Sequence, residues 1–136
     1  MSIEQNKALV RRVIDEAQSA GNFAVVDEIF ADDFVDYSPL EGIPATRDGV
    51  KILFGVLRGA IPDLKVTVSE QIAEGEKVVT RKTFRGTHGG PFMALPPSGR
   101  PVEFEVIDIL TFRDGKIVEH RLQFDQLGFL KQFGAM

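Results

Sequence analysis

The chain changes its hydrophobic period once, just after Pro62. Before it, Ile3, Leu9, Val10, Val13, Ile14 and Ala17 recur at helical spacing. Ser2 followed three residues later by Gln5 is a capping-box pattern, and Gly21 supplies a stop. The spacing therefore predicts a helix from about Ile3 to Ala20. Val25, Val26, Ile29 and Phe30 form the stripe of a second short helix, about Phe23 to Phe30. The stretch Ala31–Leu40 is acidic and aromatic, and Pro39 limits its regular structure. Thr46 is placed to cap a third helix, roughly Arg47 to Ala60, with Val50, Ile52, Leu53, Val56 and Leu57 as its apolar set.

Beyond Pro62 the period becomes two. Leu64, Val66 and Val68 alternate with polar residues, Glu74-Gly75-Glu76 turns the chain, and Val78 to His88 returns as a strand. Glycines and prolines crowd Gly89 to Pro101, which is a loop. Val102 to Phe112 is a third long strand, Asp114-Gly115 a hairpin turn, Ile117 to Asp125 a fourth strand, and Leu127 to Phe133 a short terminal helix. Helices first and hairpin-connected strands afterwards predict an α+β fold with an antiparallel sheet. No linker, repeat or low-complexity tract interrupts the pattern, so one domain over residues 1–136 is expected.

Composition narrows the function more than the fold. A net charge of −4 offers no basic face for nucleic acid or anionic membrane, so neither is an expected partner. The absence of cysteine removes disulfides, thiol nucleophiles and thiolate metal sites, and two histidines are too few for a His-rich metal site. The first twelve residues read as a charged amphipathic helix and not as a signal peptide. No apolar run approaches the ~20 residues of a membrane span. A soluble, cytoplasmic protein is the expectation.

The fourth strand carries a recognisable pattern. Asp114-Gly115-Lys116-Ile117-Val118-Glu119-His120, then Asp125, then Leu127-Gly128 resembles the C-terminal signature of the SnoaL-like polyketide cyclase (ester cyclase) family. Asp32-Asp33-Phe34-Val35-Asp36-Tyr37-Ser38-Pro39, Pro62-Asp63-Leu64, and Gly86-Thr87-His88 with Pro97-Ser98-Gly99-Arg100 agree in order with other parts of that family. The resemblance covers nearly the whole chain. It implies the nuclear transport factor 2-like fold, in which N-terminal helices pack in a strongly curved, mainly antiparallel sheet that forms a cone with an internal cavity. For characterised members it also implies an intramolecular aldol ring closure with no cofactor and no metal. The ligand expected for that chemistry is a small apolar carbonyl compound.

With period two, Ile117, Glu119, Arg121, Gln123 and Asp125 share one face of the fourth strand, and Val118, His120, Leu122 and Phe124 the other. Periodicity alone buries the second set and leaves Asp125 as a solvated carboxylate. The resemblance implies the opposite: Asp125 matches the family's general acid/base, and the polar set faces the cavity. The apolar set then lies outside and needs covering, which predicts a homodimer through the outer sheet face. In that arrangement Asp125 serves as base and then acid, in a cavity that raises its pKa, and Gln123 and Arg121 contact substrate. Arg121 departs from the family, which usually carries Trp there.

His88, beside the Gly-rich loop, is either a second acid/base at the cavity mouth or a histidine that holds loop backbone. Tyr37 is either a substrate-binding phenol or an aromatic half-buried under the third helix. Phe92 and Met93 form either a lid or a plug. Asp32, Asp33 and Asp36 read as solvated loop acids, and His120 as structural. The expected function is cofactor-free cyclase chemistry. A ketosteroid-isomerase-like isomerase, which needs Tyr37 and Asp125 in one cavity, and a non-enzymatic binding module are the alternatives.

Overall fold

The computed structural model describes residues 2–135; Met1 and Met136 lie outside the described residues. Ser2 caps helix α1 (Ile3–Arg12) with both arms of the capping box: its hydroxyl accepts from Gln5 N, and the Gln5 side chain accepts from Ser2 N. The helix then widens into a π-helical turn over Val13–Ser19, which periodicity does not foretell. Helix α2 is Ala24–Ile29, and α3 is Arg47–Ala60, capped by Thr46 Oγ1 accepting from Gly49 N at 3.2 Å.

Strand β1 (Phe30–Asp36) occupies the acidic stretch for which no strand is expected. The other strands are β2 (Lys65–Glu74), β3 (Lys77–Thr87), β4 (Pro101–Arg113) and β5 (Lys116–Phe124), followed by helix α4 (Gln126–Gln132). They form one open sheet in the order β1-β5-β4-β3-β2, antiparallel throughout except for the parallel pair β1 and β5. Register shifts interrupt β1–β5, β2–β3 and β4–β5; such irregularities bend strands and increase twist.

One face of the sheet carries the core. Val66, Val78, Phe84, Val102, Val106, Leu110, Phe112 and Ile117 pack with Val10, Val13, Ile14 and Ala17 of the first helix and Val50 and Phe54 of α3. The loop after β3 is tied down. Gly89 N and Gly90 N both donate to Ala60 O at the end of α3. A Cβ at Gly90 would collide with the Gly59 carbonyl, so the approach requires glycine. Phe92 is buried edge-on against Phe129 and tilted against Phe133, which makes it a plug under α4; Met93 beside it is exposed. Among the described residues no helix is long and apolar enough to cross a membrane.

Candidate active site

The β4–β5 register decides which face of β5 looks inward. Val106 pairs with Phe124, Asp108 with Leu122 and Leu110 with His120, while Ile107 pairs with Gln123, Ile109 with Arg121 and Thr111 with Glu119. Cross-strand partners share a face. His120, Leu122 and Phe124 therefore lie on the core side with Val106 and Leu110, and Glu119, Arg121 and Gln123 lie outside. The inward orientation expected for the polar set is corrected here: burying Val106 and Leu110 forces the apolar set of β5 inward with them. Ile117 escapes the alternation and is buried, because Val118 is the extra residue at the register shift.

The inner face is not purely apolar. Lys82 on β3 and Asp108 on β4 occupy buried register positions, with Lys82 Nζ 3.0 Å from Asp108 Oδ2. His120 Nε2 approaches the same Oδ2 at 3.5 Å, and its Nδ1–H donates to Asp36 Oδ1 at 2.9 Å. Asp36 Oδ1 also accepts from Ser38 N, and Ser38 Oγ accepts from Leu122 N. Lys82 donates further to Gln18 Oε1 on the π-helical turn, at 3.3 Å. Both cations thus address Oδ2, and Asp108 Oδ1 is buried with no partner. Asn6 on α1 is also buried with neither amide atom partnered. The side chains of Asp108, Lys82, Asp36 and His120 are 2, 7, 9 and 15% exposed, so solvent meets the imidazole first.

Burial disfavours charge on Asp108, yet Lys82 and His120 outweigh it and hold the carboxyl below the usual carboxylate range. Burial equally disfavours the protonated imidazole, but hydrogen bonds to Asp108 and Asp36 raise His120 above its ordinary value. The cluster sets two acidic side chains, Asp108 and Asp36, against two basic ones, Lys82 and His120. Asp36 is therefore a buried ion-pair partner and not a solvated loop acid. Asp32 and Asp33 remain exposed, paired with Arg47 and Arg113. Lys82 and Asp108 were legible only as exceptions, polar side chains at positions where the alternation of β3 and β4 calls for apolar ones.

The residues proposed from the sequence are dispersed. Asp125 is the exposed N-cap of α4, its Oδ1 accepting from Gly128 N at 2.9 Å. It lines an open groove of about 490 Å³ with Gln123, Phe104, Phe124 and Phe129. Arg121 lies over the Tyr37 ring at 4.1 Å, and Tyr37 is 52% exposed and absent from the groove's lining. Tyr37 and Asp125 therefore do not form the shared cavity an isomerase of the ketosteroid type requires. His88 is fully buried, packs on Phe133, and receives or faces Ser98 Oγ through Nδ1 at 3.1 Å. Its backbone bonds Arg100 O and Gly99 N, so it organises the loop. The orientation that called for a covered apolar face on β5 is reversed, so the argument for a dimer drawn from it lapses. Ile107 and Ile109 of β4 still leave apolar surface on that side. Among the described residues no group of three or more His, Asp or Glu side chains is arranged to hold a metal ion.

Residues 8–133 match the SnoaL-like polyketide cyclase family. The aklanonic acid methyl ester cyclase DauD of Streptomyces sp. (strain C5) is 29% identical over 134 residues, covering 93% of this chain and 80% of its own. DnrD of Streptomyces peucetius, of the same designation, is 29% identical, covering 93% and 88%. The structure of TsrD from Streptomyces laurentii superposes with a TM-score of 0.89 at 26% identity, covering 100% of this chain and 99% of its own. The α+β arrangement is that of the cone-shaped folds of these structural neighbours.

Proposed function

The chain belongs to the SnoaL-like polyketide cyclase family, and from that premise we propose that it is a cofactor-independent enzyme that closes a ring in a small carbonyl compound by an intramolecular aldol step. The observation that carries the reading is the asymmetry of Asp108: two cations converge on Oδ2, and Oδ1 is left without a partner. A buried carboxyl with one unpartnered oxygen and an imidazole beside the other has a site for a proton from a carbon acid and a neighbour to pass it to.

In the proposed sequence Asp108 Oδ1 takes the proton from a carbon flanked by carbonyls. The Lys82 ammonium and His120 imidazolium offset the charge of the enolate. The enolate carbon attacks the acceptor carbonyl, a carbon–carbon bond forms, and the new alkoxide takes a proton from His120. The proton on Asp108 then passes to His120, and both groups return to their starting state. Substrate approaches from the His120 side, the most exposed edge of the cluster.

The test is deuterium exchange of 1,3-dicarbonyl compounds followed by NMR. Wild-type protein is expected to accelerate exchange at the activated carbon, with Asp108→Asn and His120→Gln abolishing it. Asp125→Asn, which keeps the helix cap, is expected to retain it. If Asp125→Asn alone abolished exchange, the base would lie in the groove. If wild type matched buffer for compounds shown to bind, the protein would be a binding module.

A further inference from the structure

The proposed chemistry depends on Asp108 Oδ1 staying free, and an ammonium only 3.0 Å from Oδ2 threatens that. An ammonium has three donors. One goes to Asp108 Oδ2, one to Gln18 Oε1 at 3.3 Å, and Lys82 Nζ lies 5.6 Å from the centre of the Phe84 ring. Gln18 is the only one of these three that can draw Lys82 back by hydrogen bonding from the helix side.

Gln18 is firmly placed for this. It sits on the π-helical turn, a geometry that is rare and frequent at functional sites. Arg58 of α3 donates to the carbonyls of both Gln18 and Ser19. Ser19 Oγ accepts from Val66 N at 3.0 Å on β2. The turn is thus tied to the third helix and to the sheet, and the Gln18 side chain is buried between them and Lys82.

We infer that Gln18 is a positioning residue: by accepting from Lys82 it keeps the ammonium on Asp108 Oδ2 and leaves Oδ1 without a hydrogen-bond partner, so that it can take the substrate proton. The inference rests on Asp108 as the base. It assigns the π-helical turn a purpose that family membership and core packing do not.

Two variants test it, Gln18→Met, similar in length but without an acceptor, and Gln18→Glu, which adds a competing carboxylate. Carbon-detected NMR titration of the Asp108 carboxyl is the readout independent of turnover. Gln18→Met is expected to let Lys82 bridge both oxygens, lowering the Asp108 pKa and slowing carbon-acid exchange about tenfold, with the acid limb of the pH–rate profile moved down. Gln18→Glu is expected to draw Lys82 away, raising the Asp108 pKa and moving the acid limb up by about one unit, a tenfold change in proton affinity. An Asp108 pKa unchanged in both variants overturns the inference whatever the rates do. If the pKa moves as expected while wild type shows no exchange, Gln18 still sets Lys82, but the base assignment and the catalytic purpose drawn from it both fall.

Discussion

Arg81 and Lys82 are neighbours on β3, point to opposite faces, and hold carboxylates at the same distance. Arg81 Nε lies 2.9 Å from Glu70, and Lys82 Nζ 3.0 Å from Asp108. Their surroundings differ: Arg81 and Glu70 are 37 and 55% exposed, Lys82 and Asp108 7 and 2%. In water the first pair is screened and exchangeable with solvation. In the interior the same geometry acts at low dielectric, where an unpaired charge is intolerable and a proton can be held or moved. Bond length alone does not reveal a site; the face of the strand does.

The largest effect that would break or sharpen this contrast is loss of one buried partner. Asp108→Leu strands Lys82 inside and is expected to cost about 3–5 kcal/mol in urea denaturation. Glu70→Leu is expected to leave the urea midpoint nearly unchanged, and equal losses would mean the interior pair is as solvated as the outer one. Replacing both partners, Lys82→Met with Asp108→Leu, is expected to restore most of the stability while carbon-acid exchange stays lost.

A smaller effect is set by pH. Because His120 is raised above 6.5, its contribution is fully present below that value and is lost as pH rises through its folded pKa. Because Asp108 is lowered below 3.8, its contribution is present above that value and is lost as pH falls through its folded pKa. The urea midpoint is therefore expected to be level between the two and to fall as pH rises through the folded His120 pKa, with His120→Gln removing that fall. A wild-type midpoint that climbs from pH 7 to 9 would contradict the pairing of His120 with two carboxylates.

The smallest effect concerns the outer end of β5. As a helix cap, Asp125 is worth about 1 kcal/mol against Ala and little against Asn. A thermal melt of Asp125→Ala and Asp125→Asn checks this, and a cost for Asn equal to that for Ala would point to a charge-dependent role for Asp125 beyond capping.

Most elements were legible because their signals are local. The Ser2 and Thr46 caps, the Asp114-Gly115 turn and the alternation in β2 to β5 each lie within a few residues of what they specify. Strand β1 was not legible, because its partner β5 lies more than eighty residues away and its acidic residues carry no strand propensity. The π-helical turn was invisible for a similar reason, since Val10, Val13, Ile14 and Ala17 fit ordinary helical spacing. His120 was grouped with Leu122 and Phe124, but the resemblance turned that set outward, and Asp36, Asp108 and Lys82, which complete its cluster from three other strands, were not joined to it.

The sequence by itself determined the order of the helices and of β2 to β5, with their caps and turns and most of the alternation between strand faces, because these depend on neighbours a few residues away. Only the tertiary structure decided which face of β5 turned inward and which charges met there. That choice depends on what Val106 and Leu110 must bury and on strands distant in sequence closing around one imidazole. The resemblance to a family identified the architecture, but the location of the buried charges came from the register between strands.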